Sequence, residues 1–241
     1  MPRRPWGLVA LLTIAGAAFV ALGIWQVQRM HWKHDLIARV DARVHAGPVD
    51  LPADGLLAGS PRATEYLRVR LRGVYAGQAS ALVRASTELG TGYWAMTPMR
   101  ITDGRTLWVN RGFVPAGTPL AKVRDAVPQG QIALVGLLRL DEPGGSLLQA
   151  NRPQDDRWYS RDTAALARAR GIGRVAPMFV DVQQERAQDQ RRGQGAAPVP
   201  GLTVIRFADN HLAYALTWLA MALMAFAAAW RSVRPRADGS P

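Results

Sequence analysis

The chain has no cysteine among its 241 residues. That removes disulfides, thiolate metal centres and cysteine-based redox chemistry together. Histidine is scarce too. His31, His34, His45 and His211 are the whole supply, so a metal held by side chains must draw on these, on carboxylates or on methionine. Common catalytic signatures are also missing. There is no phosphate-cradling loop ending in Gly-Lys-Ser, no nucleophile elbow and no zinc helix with paired histidines. The segment Gly90-Thr-Gly92-Tyr-Trp-Ala95 carries the letters of a dinucleotide fingerprint, but Pro98 and the strand-like residues after it deny the helix that would hold a pyrophosphate. Asp141 with Glu142, and Asp155 with Asp156, are adjacent carboxylates beside prolines or arginines, which suits turns better than an acid/base dyad. Enzymatic chemistry is therefore not expected.

Acidic residues are few against basic ones, 18 to 30, which leaves a net charge of +12. In a soluble protein this would suggest nucleic acid. Here two long apolar runs make an anionic membrane surface the more economical partner, with membrane lipids expected and nucleic acid not. Residues 5–28 carry no charge, nor do residues 212–230. Each is about the 20 residues that span a hydrocarbon core of roughly 30 Å. The first could be read as a signal peptide, yet its apolar stretch continues past Ala15, Ala17 and Ala18 to Trp25, so an uncleaved anchor is expected. Gly7, Gly16 and Gly23 recur along it and would allow a second helix to approach closely. The expected organisation is a basic tail at 1–5, a span at 6–28, a domain at 29–209, a span at 210–230 and a basic tail at 231–241. Basic tails belong on the cytoplasmic side, which puts the domain outside the cytoplasm.

The domain reads as strand-rich. Residues 32–46 place Leu36, Val40 and Val44 at helical spacing, and Gly47, Pro48 and Pro52 end that helix. Residues 66–75 alternate strictly, with Leu67, Val69 and Leu71 on one face and Arg68, Arg70 and Arg72 on the other. Further strands are expected at 81–86, 93–101, 106–114, 132–140 and 178–182, with Asp103-Gly104 as a hairpin turn. A short helix is expected at 162–170, closed by Gly171. Strand–helix alternation is absent, so the fold class is two transmembrane helices flanking an antiparallel, strand-rich α+β extracytoplasmic domain. Residues 183–200, rich in Gln, Arg, Gly and Pro, read as a flexible tether.

The residue with most functional interest is His211, at the mouth of the second run. An ionisable side chain at membrane depth costs a few kcal/mol unless a partner or metal takes it up. Tyr214 and Trp218 share its helical face. At the matching end of the first run, Trp25, Gln28, Arg29 and Trp32 lie along one face, either as an interfacial belt or as a pocket wall. His31 and His34 stand three apart, a spacing that allows a shared metal beside Asp35 but reads better as a solvated face.

The blocks Leu22-Gly-Ile-Trp-Gln-Val-Gln-Arg29, Val69-Arg-Leu-Arg-Gly-Val-Tyr75, Gly92-Tyr-Trp-Ala-Met-Thr-Pro98, Trp108-Val-Asn-Arg-Gly-Phe-Val-Pro115, Asn151-Arg-Pro153, Trp158-Tyr159 and Asn210-His-Leu-Ala-Tyr-Ala-Leu-Thr-Trp218 resemble, in order and over nearly the whole chain, the surfeit-locus-one family of cytochrome c oxidase assembly proteins. The resemblance implies a protein of the bacterial inner membrane with a periplasmic domain. It would aid insertion of haem a into the catalytic subunit of an aa3-type oxidase, with that subunit and haem a synthase as partners. It also implies that His211 ligates the haem iron and that Trp25, Gln26 and Arg29, with Asn210 and Tyr214 next to the ligand, form its surroundings. Phe113 stands where many members have tryptophan, and the stretch 183–195 is unusually long.

Overall fold

The computed structural model describes residues 6–54, 59, 61–146, 148–187, 197–202 and 210–234. The chain divides into two units, residues 1–40 with 205–241, and residues 41–204. The expected tail at 1–5, most of the tail at 231–241 and the heart of the expected tether, 188–196, lie outside the described residues.

The first unit contains α5 (His211–Val233) and all of α1 (Trp6–His45) up to Val40. Both are long and apolar enough to cross a membrane. The expected separate helix at 32–46 is the continuation of α1, because no proline or glycine interrupts residues 24–45 and the helical spacing carries straight through. Inside the apolar stretches, Thr13 donates to Val9 O and Thr217 to Ala213 O, each at 2.8 Å, so these hydroxyls need no water. The two helices meet along a seam of small residues. A side chain on Gly16 would collide with Phe226, and one on Gly23 would touch Ala215 and Trp218. From α5, Ala215, Ala222, Ala225 and Ala229 are buried. Phe19 stacks on Trp218 with ring centroids 5.7 Å apart. Positions 16, 19, 23 and 26 of α1 thus face α5 at helical spacing, as expected where close backbone approach replaces a hydrophobic driving force. A Cβ on Gly7 would meet nothing within 4 Å among the described residues.

The second unit is built on a seven-stranded sheet: β1 (Val49–Asp50), β2 (Arg68–Tyr75), β3 (Ala81–Thr87), β4 (Gly90–Ile101), β5 (Thr106–Pro115), β6 (Ile132–Leu140) and β7 (Met178–Ala187). Short helices α2 (Pro61–Thr64), α3 (Leu120–Asp125) and α4 (Thr163–Ala169) join them. The strand order is β1-β2-β6-β7-β5-β4-β3, and a further pairing of β2 with β4 closes β2, β6, β7, β5 and β4 into a ring. Closure needs Gly73, where any Cβ would lie 2.2 Å from Arg100 O. A ring this small is filled by its own side chains. Val69, Leu71, Met99, Leu107, Val109, Ile132, Leu134, Leu138, Met178 and Val180 form that interior.

Two expectations are corrected here. The sheet is mixed, not antiparallel, since β1 runs parallel to β2 and β7 parallel to β5. The excursion from β6 through α4 returns the chain between β6 and β5, where it must match one strand in direction and oppose the other. The tether does not begin at Gln183. Residues Gln184, Glu185 and Arg186 pair with Val135, Leu134 and Ala133 of β6, so β7 extends well past Val182. Beyond the undescribed stretch, Val199 bridges Phe113.

Outside the ring, Met96, Trp108, Phe179, Trp158 and Leu166 make a second core under α4. Asp162 caps α4 by accepting from Ala165 N at 2.8 Å, and Trp108 Nε1 donates to Thr163 O. The expected hairpin turn is present, with Gly104 at φ 89°. Gly90 to Ala95 lie in β4, with no helix after them, so the fingerprint letters have no phosphate-binding context.

Candidate functional site

At one end of the helix pair, His211 opens α5 and its Nδ1 lies 2.8 Å from Oε1 of Gln26 on α1. The contact follows from the seam. Gln26 is three residues beyond Gly23, so it projects toward α5 where the antiparallel neighbour reaches its first residue. Both side chains are half-buried. An amide oxygen only accepts, so the ring nitrogen donates.

The other expected site residues sit around this contact without joining it. Trp25 is 54% exposed and Tyr214 55% exposed. Trp25 is one residue off the seam, and Tyr214 is three residues past His211, on a face that α1 does not cover. Arg29 stacks its guanidinium 4.2 Å over the Trp32 ring, as the shared face of Trp25, Gln28, Arg29 and Trp32 anticipated. Asn210 precedes α5 and accepts from Tyr214 N through its backbone oxygen, while its side chain makes no cap bond. Trp218 is taken up by Phe19. His31 Nδ1 donates to Val27 O at 2.9 Å, and among the described residues no group of three or more His, Asp or Glu is placed to hold a metal ion.

In the sheet domain three of the four paired carboxylates, those of Asp141, Glu142 and Asp156, are taken up in structural contacts. Asp141 accepts from Thr163 N at 2.7 Å, and Asp156 holds both Trp158 Nε1 and Arg170. Glu142 takes the guanidinium of Arg161. Burial pushes the Glu142 carboxyl up, but the hydrogen bonds and charge of Arg161 outweigh it and hold the carboxyl below its ordinary range. Two buried networks escaped sequence reading. Asp181, 2% exposed, accepts from Asn110 at 2.8 Å and Arg139 at 3.2 Å, with Arg161 at 3.7 Å. Tyr75 donates its hydroxyl to Glu185 at 2.6 Å, and Arg111 pairs with that same carboxylate at 3.5 Å. Burial and then the Glu185 charge push the Tyr75 hydroxyl well above its usual range. A strand's alternation could have placed Asp181 on the face of Phe179, outside the ring, but its partners come from three other segments. A groove of about 510 Å³ beside β3 is lined by Arg84, Tyr93, Asp156, Trp158 and Tyr159. Its Asp156 is already engaged by Arg170.

Two apolar helices of membrane-crossing length flank a mixed-sheet domain in sequence, and a histidine is held across the helix pair, a combination that suits a membrane-anchored protein. Comparison with known proteins gives the family. The SURF1 family profile matches residues 13–223. Surfeit locus protein 1 of Homo sapiens is 34% identical over 229 residues, covering 86% of this chain and 71% of the relative. That of Mus musculus is 34% identical over 226 residues, covering 86% and 69%. A SURF1-like protein of Caenorhabditis briggsae is 26% identical over 243 residues, covering 91% and 73%. The chain belongs to the SURF1 family.

Proposed function

We propose that this protein is a membrane-anchored assembly factor for an aa3-type cytochrome c oxidase, and that it holds haem a as cargo at the His211 end of the helix pair before the haem enters the catalytic subunit. Membership of the SURF1 family supports the assembly role. The observation that carries the haem reading is the imidazole of His211, placed by Gln26 at the opening of an apolar helix. The surroundings fit such a cargo. A neutral imidazole is an iron ligand, the exposed Trp25 and Tyr214 offer aromatic surface to an apolar macrocycle, and Arg29 can pair with a carboxylate. A carrier must release what it holds. A single protein ligand at the end of a helix pair suits that task, and no nucleophile or acid/base pair is needed. The sheet domain lies in the periplasm in this reading, where the oxidase catalytic subunit and haem a synthase are its partners.

A second reading has support from the same contact. The bond between His211 and Gln26 is also an interhelical clasp, so the protein could hold oxidase subunits together without touching haem. Pigment extracted from the full chain, purified in detergent after co-expression with haem a synthesis, separates the two. Stoichiometric haem a supports the carrier, and colourless protein that still promotes oxidase assembly supports the scaffold.

A further inference from the structure

We propose that Gln26 is a positioning residue that locks His211 in the tautomer protonated at Nδ1, so that the lone pair resides on Nε2, the nitrogen that would meet a metal. The inference rests on the haem reading for its purpose but not for its content. The geometry is the bond of 2.8 Å between His211 Nδ1 and Gln26 Oε1. An amide oxygen has only lone pairs, so the shared proton belongs to the ring. A neutral imidazole carries one proton, and placing it on Nδ1 leaves Nε2 as the acceptor. Free histidine does not favour this form, so the protein must impose it.

The surrounding structure makes the imposition stiff. Gln26 continues the line of Gly16, Phe19 and Gly23 along α1, and each of those packs on α5. Gly23, one turn before Gln26, sets the close approach by meeting Ala215 and Trp218, which lie one and two turns after His211. The Gln26 amide is therefore brought to the ring by backbone packing and not by its own flexible stem. Asn210, whose side chain makes no cap bond, and Tyr214, which is exposed, are less suited to this work. Partners on the second nitrogen of a metal-binding histidine typically change affinity 10- to 100-fold when removed.

The test begins without haem. Full-length protein labelled with ¹⁵N-histidine is reconstituted in lipid, and the His211 signals are assigned by their loss in His211→Ala. The expected spectrum shows a proton on Nδ1 and an unprotonated Nε2. Gln26→Leu should shift the population toward the Nε2-protonated form, and Gln26→Glu, which keeps an acceptor oxygen, should restore the Nδ1 proton. A second arm titrates haem, with Gln26→Leu expected to weaken binding on the order of 10- to 100-fold and Gln26→Glu to recover it. An Nε2-protonated ring in the unaltered protein, or an unchanged tautomer in Gln26→Leu, overturns the proposal. If the tautomers behave as expected while the unaltered protein takes up no haem, the positioning role stands and the carrier reading falls.

Discussion

A Cβ on Gly16 would lie 2.6 Å from Cε1 of Phe226, so α1 and α5 meet where one of them has no side chain at all. Gly16→Leu should force the helices apart or the Phe226 ring out of place, costing about 1–3 kcal/mol by overpacking. Thermal unfolding of the full chain in detergent reads this as a lowered midpoint. Phe226→Ala in the same molecule should restore much of the loss. Equal midpoints for Gly16→Leu and the unaltered chain would mean that the seam is not a packed contact.

The charge cluster at Asp181 gives a prediction for the sheet domain. Asp181→Ala removes the acceptor for Asn110 and one of the two carboxylates beside each of Arg139 and Arg161, which keep Glu65 and Glu142. Breaking a buried pair from one side costs about 3–5 kcal/mol when the remaining charge has no other partner, and less than that here because both arginines keep one. Denaturant midpoints should fall accordingly, and a shift no larger than that of an exposed substitution such as Arg84→Ala would contradict the assignment.

Glu185 tests the corrected extent of β7. Its loss leaves the buried Tyr75 hydroxyl without its acceptor at 2.6 Å and removes the carboxylate facing Arg111. Glu185→Ala should cost about 1–3 kcal/mol, whereas Tyr75→Phe in the same background should add little, because the two changes remove one interaction. Additive losses in the double variant would argue against the bond.

Acid should weaken the sheet domain through Glu142. Its carboxyl sits below the ordinary range in the folded chain, so the stability it lends is present above the unfolded value and is lost as pH falls through the folded one. Asp141 acts oppositely. Burial raises its carboxyl, so its ionised form costs stability, and that cost is relieved on acidification. Urea midpoints between about pH 7 and pH 3 should fall less steeply for Glu142→Gln than for the unaltered chain. Parallel curves would show that the pair with Arg161 contributes nothing measurable.

Much of the architecture was legible because it is local. The strict alternation of residues 66–75 located β2, Asp103-Gly104 the turn between β4 and β5, and charge-free runs the two helices. Parallel pairing was not, since nothing in residues 178–187 says that they lie between β5 and β6. The polar letters of Gln183–Ala187 suggested a tether because a strand at the end of a ring can alternate Gln, Glu and Arg when its partners are polar, as Tyr75 is for Glu185. The short α3 lay below the length at which periodicity speaks. In the candidate site, His211 and Gln26 were both nameable from sequence, but their bond depends on the register of two helices 185 positions apart. That register is set by Gly16 and Gly23, whose number along the chain was visible and whose partners were not.

The haem content of the full chain, with and without His211, tests the central claim most directly. Protein purified from the membrane of cells making haem a should carry haem in the unaltered form. His211→Ala should accumulate to a similar level, since the apolar run that inserts α5 is untouched, yet lose most of its haem, on the order of tenfold or more. His31→Ala and His34→Ala should retain it. A His211→Ala protein with a full complement of haem and an unchanged absorption spectrum would contradict the account.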